Sequence, residues 1–151
     1  MICMVPPRTC LDFFAGSGLV SFALANSFTT VWANDISEKK ARVFTANHTN
    51  RAFELDSIEN VSGTNLPNAT LIWGSFPCQD LSLAGNMDGL YGKRSGLFWQ
   101  WIRVMNELSK KPPIAVAENV VGLVSSKGGE NYRQVHNALV KHGYQIGRAH
   151  V

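Results

Sequence analysis

Short apolar runs that close on glycine or an acidic residue alternate with helical patterns along this chain, and that alternation leaves few folds open. Thr9-Cys10-Leu11-Asp12-Phe13-Phe14 leads into Ala15-Gly16-Ser17-Gly18, after which Leu19, Phe22, Ala23 and Leu24 give an apolar helical pattern. The order is strand, glycine turn, helix. Thr29-Thr30-Val31-Trp32-Ala33-Asn34 reads as a second strand ending at Asp35, with Ser37 as N-cap and Glu38 in the first turn of a helix to about residue 47. The spacing predicts further strands over 53–58, 69–73 and 113–118. Helices are expected over 97–110, where Trp101, Val104 and Leu108 share a stripe, and over 130–141, where Tyr132, Val135 and Leu139 do. Ile114-Ala115-Val116-Ala117 is apolar at every position, which predicts burial on both faces and a parallel sheet.

With 151 residues and 45% hydrophobic content, the chain can build one domain with a real core and is short for two. Its apolar runs are far shorter than a membrane span, and residues 1–8 hold two prolines without a basic-then-apolar signal pattern. A cytoplasmic protein with no membrane partner is expected. Cys3, Cys10 and Cys78 form an odd set without paired short spacing, so neither a disulfide framework nor a zinc site is indicated. His48, His136, His142 and His150 lack metal-ligand spacing, and no metal is expected. A net charge of +3 is compatible with a polyanionic partner but too mild to require one.

Two places concentrate chemistry. After the apolar run Ala69-Thr70-Leu71-Ile72-Trp73, Gly74 and Pro77 break the strand, so Cys78 falls near the carboxyl end of a sheet strand, where ligands gather in open α/β sheets. Taken alone, this thiol reads first as a small buried hydrophobe, and the rest of the chain reverses that. Residues 82–94, rich in Gly, Asp and Asn, read as a long mobile loop behind it. The second place is the glycine turn. Gly16 and Gly18 let a ligand approach the backbone, and Asp35, about twenty residues beyond the turn, is placed to accept hydrogen bonds from a ribose. The third glycine of a dinucleotide fingerprint is absent, because Leu19-Val20 follows Gly18.

Together these segments resemble a known family. Asp12-Phe13-Phe14-Ala15-Gly16-Ser17-Gly18, Pro77-Cys78-Gln79 with Ser82, Arg94-Ser95-Gly96-Leu97-Phe98 and Glu118-Asn119-Val120 are similar to the ordered motifs of the cytosine-C5 DNA methyltransferases. The resemblance implies an α/β fold: a Rossmann-like doubly wound, mostly parallel sheet of the S-adenosylmethionine-dependent methyltransferase type, incomplete at the C-terminus. It implies that Cys78 adds to carbon 6 of cytosine, so that carbon 5 can attack the methyl group of S-adenosyl-L-methionine. Glu118 would neutralise ring nitrogen 3, and Asn119 would orient the surrounding loop. For the cofactor it implies Phe14 near the adenine or ribose, the backbone of Ala15, Gly16, Ser17 and Gly18 at the methionine end, Asp35 on the ribose and Ile36 against the adenine. Asp56 and Ser57 would read the adenine amine, with Pro77 and Leu97 lining the pocket. The target base must leave the duplex to reach Cys78, and Gln79, Ser82, Lys93 and Arg94 are the implied contacts to double-stranded DNA.

The resemblance further implies a restriction-modification or phage modification setting, with a cognate restriction endonuclease as a possible partner. Residues 1–145 correspond to the catalytic, cofactor-binding part, and no segment corresponds to a target-recognition domain. Residues 146–151 match a peptide encoded by a common sequencing adapter, so a non-native tail is expected there, with a genuine strand as the alternative. A tRNA cytosine-C5 methyltransferase and a non-catalytic cofactor-binding remnant remain open as other readings.

Overall fold

The computed structural model describes residues 8–49, 51–77 and 96–147. Among them, strands β1 (Thr9–Phe13), β2 (Thr29–Asp35), β3 (Ala52–Leu55), β4 (Leu71–Gly74) and β5 (Ile114–Ala117) form one sheet in the order β3-β2-β1-β4-β5. Every neighbouring pair is parallel. Helices α1 (Leu19–Ala23), α2 (Glu38–Asn47), α3 (Leu97–Glu107), α4 (Gly122–Ser125) and α5 (Glu130–Lys141) accompany it. From β1 the chain winds outward through β2 and β3, then returns to the other side of β1 for β4 and β5. The winding therefore reverses between β1 and β4, the place where open α/β sheets leave a ligand crevice beyond their carboxyl ends.

The larger core joins Leu11 and Phe13 of β1 and Ile72 of β4 to Phe98, Trp101, Val104 and Met105 of α3 and to Val135, Ala138 and Leu139 of α5. Each large apolar side chain fully buried there contributes about 1.5–3 kcal/mol. Trp101 lies so close to β4 that a Cβ on Gly74 would come within 2.8 Å of its ring, so this strand end requires glycine. A smaller cluster of Ala15, Ala33 and Phe44, with Phe53 packed on it, lies beneath α2. No helix among the described residues is long and apolar enough to cross a membrane.

The helix expected after the glycine turn is present as α1, with Leu19 and Phe22 each 75% exposed. It turns Ser21 inward, where its hydroxyl donates to Asp12 Oδ2 at 2.7 Å. Three expectations need correction. β5 is parallel but not buried on both faces: among the described residues it lies at the sheet edge, and Ile114 is 44% exposed. The third strand ends at Leu55 rather than near residue 58, because the Asp56 carboxylate accepts from Ser57 N and Asn60 Nδ2 and turns the chain. α3 stops at Glu107, ahead of the two prolines at 112 and 113 that exclude helix. α4 had no clear sequence signal, being only four residues long. The loop expected over 82–94 lies outside the described residues.

Candidate active site

Strand register sets the site. Glu54, Asn34, Phe13, Gly74 and Ala117 pair in one row across the five strands. The next residue on each strand therefore falls along the carboxyl edge: Leu55, Asp35, Phe14, Ser75 and Glu118. With about 4.8 Å between strands, the ends of β3 and β4 lie about 14 Å apart. A cleft of ≈ 550 Å³, counted out to its open mouth, follows this edge. Phe14, Asp35, Ile36, Asp56, Ser57, Pro77 and Leu97 all line it, so these seven sequence-predicted cofactor residues come together. Asn34, Lys40, Ile58 and Ser75 line it as well and were not singled out from the sequence.

Ala15, Gly16, Ser17 and Gly18 form the turn beside the cleft rather than its lining. Gly16 N donates to Asp35 Oδ2 at 2.9 Å, and Ser37 N donates to Asp35 Oδ1 at 2.9 Å. One carboxylate thus ties the glycine turn to the start of α2. An ionised carboxylate has about four acceptor positions, so Asp35 retains capacity for ligand hydroxyls. Lys40 Nζ stands 3.8 Å from Asp35 Oδ2 and balances its charge at the mouth. Phe14 has φ 58, a left-handed conformation that costs a non-glycine residue about 1–2 kcal/mol, and backbone strain of this kind concentrates at ligand sites. Ile36 is 71% exposed, an apolar surface open to a flat ring.

Asn34, 1% exposed, donates through Nδ2 to the carbonyls of Glu54 (3.1 Å) and Asp56 (2.8 Å), fixing the end of β3 against β2. An amide directly before the strand-end acid draws attention to the position without showing these partners. Asp56 Oδ1 accepts from Ser57 N (2.6 Å) and Asn60 Nδ2 (2.8 Å), leaving Oδ2 for an incoming donor.

On the other side of the switch point, Asn119 Nδ2 donates to Phe76 O at 2.7 Å, while Glu118 N donates to Gly74 O at 3.0 Å. The loop after β5 is therefore fastened to the segment that leads into Cys78, and Glu118 is exposed at that edge. Cys78, Gln79, Ser82, Lys93 and Arg94 lie outside the described residues. Cys10 is a different kind of thiol. It is fully buried, and burial together with the nearby Asp12 carboxylate pushes its pKa up to about 12.

Asp12, the first residue of the glycine-turn motif, is not among the residues that line the cleft. It is fully buried, its Oδ1 has no hydrogen-bond partner, and Thr30 Oγ1 extends the Ser21 bond with a further link at 3.0 Å. Burial raises its pKa from 3.8 to about 6, against the lowering effect of the Ser21 hydrogen bonds. A carboxyl raised on folding gives stability that is complete below the unfolded pKa and is lost as pH rises through the folded one. The difference in unfolding free energy between wild type and Asp12→Asn is thus expected to shift by up to about 3 kcal/mol between about pH 4 and pH 7, with the wild type losing ground as pH rises. Denaturant titrations at both pH values check this, and a pH-independent difference would refute it.

A parallel sheet wound in this order, with a glycine turn after β1, an acid after β2 and a cleft along the carboxyl edge, defines the Rossmann-like fold of S-adenosylmethionine-dependent methyltransferases. The family model for C-5 cytosine-specific DNA methylase matches residues 8–149, and the chain belongs to that family. It is 32% identical over 138 residues to the type II methyltransferase M.Bsp6I of Bacillus sp. (strain RFL6), covering 89% of this chain and 43% of the relative. Against M.NgoFVII of Neisseria gonorrhoeae the identity is 33%, over 90% of this chain and 36% of that protein. The chain thus spans about two fifths of the length of these relatives. Among solved structures, S. pombe Dnmt2 superposes with a TM-score of 0.63 at 21% identity, covering 86% of this chain and 39% of that one.

Proposed function

We propose that this chain supplies the cofactor cleft, nucleophile and acid of an enzyme that transfers a methyl group from S-adenosyl-L-methionine to carbon 5 of cytosine in double-stranded DNA. The observation that carries this reading is the register row, which aligns the cleft-lining Phe14, Asp35 and Ser75 with Glu118 after β5 along one edge. The residues fit the cofactor: apolar Ile36, Phe14 and Leu97 suit a purine, the Asp35 carboxylate suits ribose hydroxyls, and Asp56 Oδ2 is free for an exocyclic amine. The turn of Ala15, Gly16, Ser17 and Gly18 suits the methionine end. When bound, the cofactor supplies an electrophilic methyl group.

In this reading Cys78 forms a bond to carbon 6 of a cytosine swung out of the duplex, which makes carbon 5 nucleophilic; after methyl transfer, loss of the carbon-5 proton to a base expels the sulfur from carbon 6 and restores the ring. Glu118 holds a proton at ring nitrogen 3, and Asn119 keeps the two loops in register through Phe76 O. Gln79, Ser82, Lys93 and Arg94 contact DNA. Residues 1–145 form the catalytic, cofactor-binding part. The relatives named as type II methyltransferases, together with an orphan methyltransferase of Bacillus phage SPR at 29% identity, favour a prokaryotic or phage modification system. Such a system acts in the cytoplasm, with a cognate endonuclease as a possible partner.

Duplex DNA carrying 5-fluorocytosine tests the chemistry, since fluorine at carbon 5 cannot leave as a proton and the adduct persists. Incubation with cofactor is expected to give a protein–DNA complex stable to denaturant; no complex from a preparation that binds cofactor and DNA would sink the covalent mechanism. Glu118→Gln keeps the shape but cannot supply the proton, and is expected to lower methyl incorporation about 10²–10⁴-fold with little change in cofactor affinity. Equal losses in both would instead assign Glu118 to cofactor binding.

A further inference from the structure

The segment that presents Asp56 and Ser57 to the cleft is held from behind by one side chain of α3. Arg103 Nη2 donates to the carbonyls of Ile58 (2.8 Å) and Val61 (3.0 Å), with a longer contact to Glu59 O (3.4 Å). The guanidinium is itself fixed on both flanks: Nε donates to Gln100 Oε1 at 2.7 Å and Nη1 to Glu107 Oε1 at 2.7 Å. Glu107 closes the clamp by accepting from Gly63 N through Oε2 at 2.9 Å. Here α3 and the segment approach so closely that a Cβ on Gly63 would lie 2.3 Å from Val104 O. The same helix begins at Leu97 in the cleft lining, about 9 Å along its axis from Arg103.

At the start of the segment the Asp56 carbonyl accepts from Asn34 Nδ2 at 2.8 Å, and beyond it residues 57–61 turn through local bonds. Asn60 N donates to Ser57 O, Val61 N to Ile58 O, and Glu59 N to Ser57 Oγ. Inside that turn the Asp56 carboxylate is oriented by Asn60. Asn34 holds the start of this turn and the Ile58 and Val61 side chains seat it in the core, while Arg103 pins three of its carbonyls from behind. Lysine cannot reproduce this, because a point ammonium lacks the planar fork that reaches these carbonyls while engaging Gln100 and Glu107.

We propose that Arg103 is a positioning residue for base specificity: by clamping the carbonyls of Ile58, Glu59 and Val61 it holds Asp56 where its free oxygen accepts from the amino group of the cofactor's purine. This rests on the adenosyl-cofactor reading above. The test compares S-adenosylhomocysteine with S-inosylhomocysteine, in which the purine amino group is replaced by a carbonyl oxygen, by calorimetric titration of the 151-residue chain. Wild type is expected to prefer the adenine compound about tenfold, as one hydrogen bond to a charged acceptor gives. In Arg103→Lys that ratio is expected to fall at least threefold, mainly through weaker binding of the adenine compound. A purely structural role would weaken both compounds alike, and an unchanged ratio overturns the inference. Should Arg103→Lys melt below the assay temperature, Glu107→Gln frees only one flank of the guanidinium and is expected to move the ratio in the same direction; an unchanged ratio there overturns the inference too. If wild type binds neither compound, the cofactor reading falls and this inference with it. If wild type shows the preference and the variants keep it, the inference alone falls.

Discussion

Alanine at Gly18 is expected to abolish binding of the adenosyl cofactor and to lower the unfolding free energy by about 2–5 kcal/mol. Two effects combine. Gly18 has φ 91, outside the range that L side chains adopt readily. A Cβ there would also lie 2.4 Å from His48 Nε2 and 2.8 Å from Phe44 Cδ2. Neither neighbour can yield easily. Phe44 is fully buried, and His48, stacked on Phe44 at 4.6 Å between ring centroids, is bonded through Nε2 to Gly18 O at 3.1 Å. Gly16 is the internal control. It has φ 58, but the nearest atom to an added Cβ is Lys40 Cδ at 4.0 Å, so Gly16→Ala meets only the conformational cost of about 1–2 kcal/mol. Denaturant unfolding and cofactor titration of both variants check the ranking. Equal losses would show that the His48 and Phe44 contacts do not matter.

That contrast also marks how far the residues could be read without a structure. The glycine turn, Asp35 and the Ser37 cap carry local physics: a left-handed turn, a strand-end acid and a side chain that accepts from Lys40 N at 3.4 Å. These were legible, as was the parallel α/β order, because each rests on neighbours in sequence. What stayed hidden depends on partners far along the chain. Nothing near Asn34 announces that its amide spans to the carbonyls of Glu54 and Asp56, and nothing near Arg103 announces that it backs the turn at 58–61. In α1, Ser21 is buried and donates to Asp12 Oδ2, a partner nine residues away that no local pattern shows, while Leu19 and Phe22 are exposed. β5 reads as fully buried because its composition is apolar, while its place at the sheet edge is a matter of strand order.

Cys78→Ser carries the largest expected effect on turnover, a loss of about 10⁴-fold or more in methyl transfer with cofactor affinity retained. The prediction is sharp because the anchors that lead into residue 78 do not involve its sulfur. Phe76 is 3% exposed and packs on Phe98 at 5.0 Å and Trp101 at 6.2 Å between ring centroids, while its carbonyl is held by Asn119 Nδ2. Pro77 fixes the next φ. Serine therefore inherits the same approach to the base, and what changes is the nucleophile: a thiol with an ordinary pKa of about 8.5 presents some thiolate at neutral pH, whereas a hydroxyl presents essentially none. Cys10 cannot substitute, since it is buried in β1 with its pKa pushed up to about 12. Asn119→Ala separates position from reactivity. It leaves the thiol in place but removes the bond to Phe76 O, so a smaller loss than Cys78→Ser is expected, together with slower adduct formation on fluorocytosine DNA. Methyl incorporation into DNA, measured beside cofactor titration for both variants, decides the matter. If Cys78→Ser kept more than about one per cent of wild-type turnover, the covalent role of this cysteine would have to be abandoned.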